Sequence, residues 1–101
     1  MTTLVRPVHS FTYDGTRINV YHANKGEGLP RHQHIFAHGT FCTTGAMVVR
    51  KEGREVAIDK HTQPINLVAH EWHELEATED NTVFCNVFAD QYSSLPVDYT
   101  P

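Results

Sequence analysis

The sequence predicts an all-β protein, a barrel or sandwich of short strands, and three observations support this. Turn signals recur at short, fairly regular intervals, as in Asp14-Gly15, Thr44-Gly45 and Glu52-Gly53. The segments between the turns are rich in β-branched and aromatic residues, several with period-2 alternation. Only residues 70–77 are rich in helix formers, and that stretch is short. Many short strands at such spacing are typical of sandwiches and barrels.

The expected strands follow from these segments in chain order. They are Ile18–His22, Phe41–Thr44, Ala46–Arg50, Glu55–Ile58, Ile65–Ala69 and Thr82–Phe88. Residues 70–77 can form a helix, but their side chains alternate in character from Trp72 to Ala77, which favours a strand. Both faces of the last strand are apolar, so we expect both to be covered. The polar segment 91–101 predicts an irregular tail that packs on the barrel or on a partner subunit.

Length and composition predict one globular domain over residues 1–101. The chain of 101 residues is within the size of a single domain, and 40% hydrophobic with 20% charged residues can form a core. The longest apolar run, Ala46–Val49, is far shorter than the roughly 20 residues that span a membrane. Residues 1–10 have no apolar stretch of signal-peptide length, so we expect a cytoplasmic protein.

Charge and cysteine content exclude further classes of protein. Eight Lys and Arg stand against twelve Asp and Glu, a net charge of −4, with no basic cluster for phosphates. Nucleic acid is therefore not an expected partner. Cys42 and Cys85 are too few for the disulfide framework of a small secreted domain, and we expect both to be thiols.

Histidines are the unusual feature of the composition, with eight in this short chain. On a strand, His32 and His34 would project from the same face, as a pair of metal ligands would. His38 would need a bend to join them, which Gly39 makes easier, and His73 could complete the set from a neighbouring strand. Imidazole is the commonest ligand for transition metals. From spacing alone, a metal site and a polar surface face remain equally open.

The segment that begins at Gly26 resembles the first motif of the cupins. That motif has a Gly, five residues, His-x-His, a short gap to a Glu, six residues and a Gly. Gly26, His32, His34 and Gly45 match it in identity and spacing. His38 stands where the family usually has its glutamate.

Residues 68–73 are similar to the second cupin motif, usually Pro-x-Gly-x-x-His, which ends at His73. This match is weaker. Val68 replaces the proline, His70 the glycine and Ala77 the usual downstream asparagine. Together the two resemblances cover about residues 18–90.

The resemblance implies an all-β double-stranded β-helix, the jelly-roll barrel of cupins, generally dimeric. It implies one divalent transition metal per chain, Fe, Mn, Ni, Zn or Cu, held by His32, His34, His38 and His73. Because His38 replaces the glutamate, the chain is similar to the four-histidine cupins. Four neutral imidazoles leave the ion its full charge, which favours an anionic ligand. An octahedral ion would keep two positions open, whereas a tetrahedral Zn site would be closed and structural.

Other residues have weaker indications for the site. In related cupins the strand with Cys85 borders the cavity, so its thiol is expected to face the cavity beside the metal or, alternatively, to be a buried filler. Cys42 is expected in the core or an interface, His70 at the surface or rim, and Trp72 in packing. The remaining histidines, with no companions at ligand spacing, are His9, His22 and His61.

Three functions follow from this site. The first is a metal-dependent enzyme that oxygenates or isomerises a small anionic or enolisable substrate. The second is a sensor or binding module that holds a metal or small ligand without turnover. In the third the metal is only structural. Cupins host many unrelated activities, so the fold does not choose between these functions.

Overall fold

A computed structural model describes residues 2–99, whose regular structure is β-strand apart from one turn of 3-10 helix at Asp90–Tyr92. The strands are β1 Thr3–Leu4, β2 His9–Tyr13, β3 Thr16–Ala23, β4 Glu27–His32, β5 His38–Thr44, β6 Ala46–Lys51, β7 Arg54–Asp59, β8 Ile65–Leu67, β9 His73–Ala77 and β10 Thr82–Ala89. Within this range, no helix is long and apolar enough to cross a membrane.

The strands form two five-stranded sheets. One has the order β1-β4-β9-β6-β7 and the other β2-β3-β10-β5-β8. Neighbouring strands are antiparallel except for β1 and β4, which are parallel. Side chains from both sheets meet in one buried hydrophobic core. This architecture confirms the predicted all-β jelly-roll fold.

The core fills the barrel beside the histidines. In the first sheet, Leu75 lies in register with Leu29 and Val49, and all three are buried. In the second sheet, the rings of Tyr21 and Phe84 stack with centroids 4.8 Å apart. Side chains on a strand alternate, so the next inward-facing position on β9 after Leu75 is His73. The apolar rows therefore end where the histidines begin.

Two glycines allow close packing near the ends of the motif strands. A Cβ at Gly28 in β4 would overlap the carbonyl oxygen of Leu75 in β9. Gly45, in the turn between β5 and β6, has φ +77°, and a Cβ there would lie 2.5 Å from Oγ1 of Thr82. Only glycine fits both the left-handed backbone and the short distance.

The strand predictions are confirmed in the middle of the chain and wrong at several ends. Strands occur in each predicted segment, and residues 73–77 form a strand rather than a helix. Residues 68–72 are not in a strand, because the chain turns at His70, which has φ 65°. The short edge strand β1, the exposed strand β2 and the motif strand β4 were not predicted. In β4, Gly28 and Pro30 are residues that usually interrupt strands.

The C-terminal segment packs on the barrel, which is one of the two placements expected for it. Gln33 and Asp98 exchange two backbone hydrogen bonds, with N to O distances of 2.8 and 2.9 Å. The Tyr92 ring stacks on Phe36 with centroids 5.5 Å apart. Of the predicted tail, residues 100 and 101 lie outside the described part of the chain. The segment thus covers one end of the barrel next to the histidines.

The outward face of the second sheet is mainly apolar, with the exposed His9 and His22 toward its margins. The register places Cys85 between Val20 and Phe41 on this face, and these neighbours leave Cys85 almost fully buried. Toward the edge strand β2, Phe11 is 42% exposed and Tyr13 is 77% exposed. A continuous apolar sheet face is a common surface for association of identical chains.

We predict that this face joins two copies of the chain in a homodimer. Light scattering at micromolar concentration should give twice the chain mass. Phe11→Glu should yield monomers, because the new charge would be buried without a partner. Leu4→Glu is the matched control, since Leu4 is similarly exposed, at 46%, but lies in β1 of the other sheet. A monomer mass for the unmodified protein would contradict the prediction.

Candidate metal centre

Four histidines converge at one end of the barrel. His32 is the last residue of β4, and His38 and His73 are the first residues of β5 and β9. His34 lies in the segment that joins β4 to β5. One ring nitrogen of each histidine lies within 4.8 Å of those of the other three. All four side chains are buried, with exposed fractions between 0% and 4%.

The path of the chain explains how two residues of one motif reach the same point. His32 lies opposite His73 in the β4–β9 pairing. The chain then leaves the strand at Gln33, so the expectation that His32 and His34 share one strand face is wrong in detail. The carbonyl of His34 accepts a hydrogen bond of 2.8 Å from the backbone N–H of His70, which fixes this segment. The His34 ring also stacks on Phe36, with centroids 4.6 Å apart.

Three of the rings are oriented by backbone carbonyl groups. Nδ1 of His32 donates to the Pro30 carbonyl at 2.7 Å, and Nδ1 of His73 donates to the Glu71 carbonyl at 2.7 Å. Nδ1 of His34 lies 2.5 Å from the carbonyl oxygen of Phe36. A carbonyl oxygen only accepts hydrogen bonds, so each Nδ1 carries the proton. Each Nε2 therefore keeps its lone pair.

His38 has its shorter contact to a side chain, and its Nδ1 also lies 3.5 Å from the carbonyl oxygen of Gly39. Oγ1 of Thr40 lies 3.1 Å from Nδ1 of His38 and donates to Oδ1 of Asn86 at 2.6 Å. A hydroxyl has one proton, so toward His38 the Thr40 oxygen is the acceptor. This chain of hydrogen bonds gives His38 the same tautomer as the other three histidines.

The four imidazoles fit a metal ion. Nε2 of His34, His38 and His73 are buried and have no hydrogen-bond partner within residues 2–99. Such a buried polar atom is unfavourable unless something binds it. Metal to imidazole distances are about 2.1 Å, so opposite ligands are up to about 4.2 Å apart, close to the spacing of this cluster. Small ring rotations would complete the match.

Burial keeps these imidazoles neutral. Desolvation lowers the pKa of His32 to about 4 and the pKa of His38 and His73 to about 3. It also lowers the pKa of His34. Neighbouring imidazoles add to the effect for His32, His38 and His73, since two protonated rings would repel each other. Neutral imidazole is the form that binds metals.

A cavity of about 130 Å³ adjoins three of the histidines, His32, His34 and His38. Residues of the inner face of the second sheet and of the C-terminal segment complete its walls. They include Asn19, Tyr21, Phe36, Asn86, Phe88, Tyr92, Leu95, Val97 and Tyr99. Asn19, Asn86 and Thr40 form one register row across the sheet. Sequence reasoning did not single out these residues, although the polar Asn86 in an apolar strand is a signal for the row.

The expectation that Cys85 faces the cavity differs from the structure. Alternation along β10 turns Phe84, Asn86 and Phe88 inward and places Cys85 on the outer face. Asn86 occupies the position beside the histidines that was expected for the thiol. Cys42 is in the hydrophobic core, as expected, and both cysteines are free.

The other residues considered for the site are neither in the histidine cluster nor in the cavity lining. His70 is exposed, and the Arg31 guanidinium lies over the ring of Trp72, 5.6 Å from its centroid. The three remaining histidines are exposed, as expected: His9, His22 and His61.

Comparisons with known proteins agree with this fold. A protein with a double-stranded β-helix domain from Klebsiella pneumoniae has a TM-score of 0.71 at 14% identity, covering 94% of this chain and 86% of that one. A cupin-2 domain protein from Shewanella frigidimarina has a TM-score of 0.68 at 6% identity, covering 84% and 83%. KdgF from Halomonas sp. has a TM-score of 0.71 at 17% identity, covering 80% and 74%. The sequence matches no protein-family model and no curated protein sequence.

The chain thus has the cupin fold, the double-stranded β-helix predicted from the sequence. Its four-histidine cluster could hold a metal ion.

We predict that the metal-free protein loses stability as the pH falls from about 6.5 to about 4. In this window the histidines are protonated in the unfolded chain but stay neutral in the folded protein, because folding lowers their pKa values. Proton binding therefore favours the unfolded state as the pH falls. Each histidine can contribute up to about 1.4 kcal/mol per pH unit. Urea denaturation at about pH 7.5 and about pH 5 measures the difference.

The matched variants of this experiment are His73→Gln and His61→Gln. The first should reduce the dependence on pH, whereas the second, at an exposed position, should leave it unchanged. Equal stability of the parent protein at both pH values would contradict the prediction.

Proposed function

We propose that the protein binds one divalent transition metal ion per chain through Nε2 of His32, His34, His38 and His73. The ion would be Fe, Mn, Ni, Zn or Cu. The observation that carries the proposal is the set of hydrogen bonds at the Nδ1 atoms, which turns four lone pairs toward one point. Without a cation, buried Nε2 lone pairs would face one another with no hydrogen-bond partner, which is unfavourable.

We further propose that the metal acts on a small molecule in the adjoining cavity. Four imidazoles leave two positions of an octahedral ion for ligands, and the cavity adjoins three of the four rings. The bound ion would supply Lewis acidity and, with Fe or Mn, activation of O₂. The proposed activity is therefore that of a metal-dependent enzyme, of the dioxygenase or isomerase type, on a small anionic or enolisable substrate.

The residues of the cavity favour oxygenation over isomerisation within this proposal. Moving a proton between two carbons needs a base in reach of the substrate. No carboxylate lies among the described lining residues, and their only imidazoles are the proposed ligands. Burial raises the pKa of Tyr21 to about 12, so its phenol keeps its proton. Oxygenation at the metal does not require a protein base.

The same lack of a base among these residues supports a second candidate, in which the barrel binds a metal and a small ligand without turnover. Oxygen uptake distinguishes the two. An enzyme of the proposed type consumes O₂ only with its substrate and a redox-active metal, whereas a binding protein does not consume it under any of these conditions.

A single-domain chain, a cytoplasmic location and a homodimer belong to the proposal as well. The two free, buried cysteines support a reducing compartment. The apolar outer sheet face supports the dimer.

Elemental analysis of protein purified without an affinity tag tests the metal proposal. We expect about one transition metal ion per chain. His73→Ala should lose the metal, because it removes a ligand, and His61→Ala should retain it as the matched control. Metal content that is negligible in the parent protein after supply of each candidate ion would contradict the proposal.

We also predict that Thr40 supports the metal through His38. Thr40→Val keeps the shape of the side chain but leaves Nδ1 of His38 with only the longer contact, of 3.5 Å, to the Gly39 carbonyl oxygen. Loss of such an orienting group typically weakens metal affinity about 10-fold to 100-fold. Competition with a chromophoric chelator measures the change.

Thr82→Val is the matched control for this prediction. Thr82 is also fully buried, but its hydroxyl donates to carbonyl groups in a turn away from the histidines. We expect this control to lower stability and to leave metal affinity unchanged. Equal affinities of the Thr40 variant and the parent protein would show that Thr40 does not orient His38.

A further inference from the structure

The cavity beside the histidines also indicates the class of ligand, an inference that rests on the proposed function. Its volume is about 130 Å³. An apolar protein cavity of about 150 Å³ holds one molecule of benzene. The ligand that fits is therefore about the size of a single small ring. Sugars with several rings, nucleotides and peptides are too large to enter this space.

The walls of the cavity limit the charge of the ligand. Its described lining contains no Lys, Arg, Asp or Glu side chain. A first negative charge would be balanced by the metal ion. A second would be removed from water with no cation to pair with it, which is strongly unfavourable. Two cations act on residues of this region, but neither is part of the lining: Arg6, which acts on Tyr99, is exposed, and Lys51, which acts on His73, pairs with Glu71.

The rings around the cavity limit the shape of the ligand. Phe36 is central among them, because it stacks on Tyr92 at 5.5 Å and packs against Phe88 at 5.1 Å between centroids. Tyr99 closes another side, 5.3 Å from the ring of His32. Flat aromatic walls make their best contacts with a flat ligand, by offset stacking or edge-to-face packing. A puckered molecule of equal size would lose part of this contact.

One part of the cavity wall is polar, and the Tyr21 hydroxyl is the group there that can donate a hydrogen bond to a ligand. Asn19 lies two residues before Tyr21 on the same face of β3, opposite Asn86, and all three line the cavity. The amides of both asparagines lower the pKa of Tyr21 against the larger effect of burial. Their Oδ1 atoms accept hydrogen bonds from Ser10 and Thr40, both of 2.6 Å. The amide NH₂ groups are thus left for the phenol oxygen, and the phenol proton is left for a ligand.

We propose that the site selects a small planar molecule with a single negative charge, bound to the metal through its anionic oxygen and to Tyr21 through an acceptor atom. Planar heteroaromatic carboxylates and enolates of single-ring size belong to this class. Dicarboxylates, phosphate esters and saturated hydroxy acids do not.

Calorimetric titration of the Ni(II)-loaded protein tests this with three probes of equal heavy-atom count. 2-Furoate is planar with one charge, tetrahydro-2-furoate is puckered with one charge, and fumarate is planar with two charges. We expect 2-furoate to bind at least about tenfold more tightly than fumarate. It should also bind at least about threefold more tightly than tetrahydro-2-furoate, the puckered probe. Equal or tighter binding of either competitor, or no binding of 2-furoate at millimolar concentration, would overturn the inference.

Variants of two tyrosines test the role of the hydroxyl. Tyr21→Phe should weaken 2-furoate binding about threefold to tenfold while nickel affinity stays unchanged. Tyr13→Phe is the matched control, because Tyr13 is exposed on the outer sheet face. Unchanged 2-furoate affinity in Tyr21→Phe would remove Tyr21 from the ligand site. If the parent protein binds no metal, the proposed function and this inference both fail, whereas metal binding without probe discrimination refutes only the inference.

Discussion

Four imidazole rings can share one buried space only if the nitrogens that face each other carry no protons. The structure meets this condition by giving every ring an acceptor at Nδ1. The consequence is a concentration of lone pairs that a protein interior tolerates poorly unless a cation joins them. The lowered pKa values, the tight spacing and the proposed metal all follow from this one condition.

Residues that stabilise the fold and residues that form the site occupy different positions along the same strands of the barrel. The apolar rows around Leu75 and Phe84 hold the two sheets together. The register row of Asn19, Asn86 and Thr40 lies between those residues and the end of the barrel that holds the histidines. This polar row belongs to both parts, since it pairs within the sheet and also orients His38 and flanks Tyr21. Changes in the apolar rows should therefore affect folding first, and changes in the polar row should affect the site first.

The fold and the four histidines could be predicted because both depend on local patterns. Alternation predicts the strand Thr82–Phe88, and motif spacing predicts the histidines without any knowledge of the chain path. The residues around the site could not be predicted as well. Both faces of β10 are apolar, so alternation alone did not decide between Cys85 and Asn86. Thr40 acts only through distances to His38 and Asn86 that arise after the strands pair.

Three of the four rings are held by main-chain carbonyl groups two residues away, those of Pro30, Phe36 and Glu71. A carbonyl group is present whatever the side chain, so the hydrogen bonds that orient these rings do not depend on which side chains stand at the three positions. Three of the four ring orientations are thus a property of the backbone. Similar structures share only 6% to 17% of their residues with this chain, so the course of the backbone is common to chains whose sequences differ at most positions.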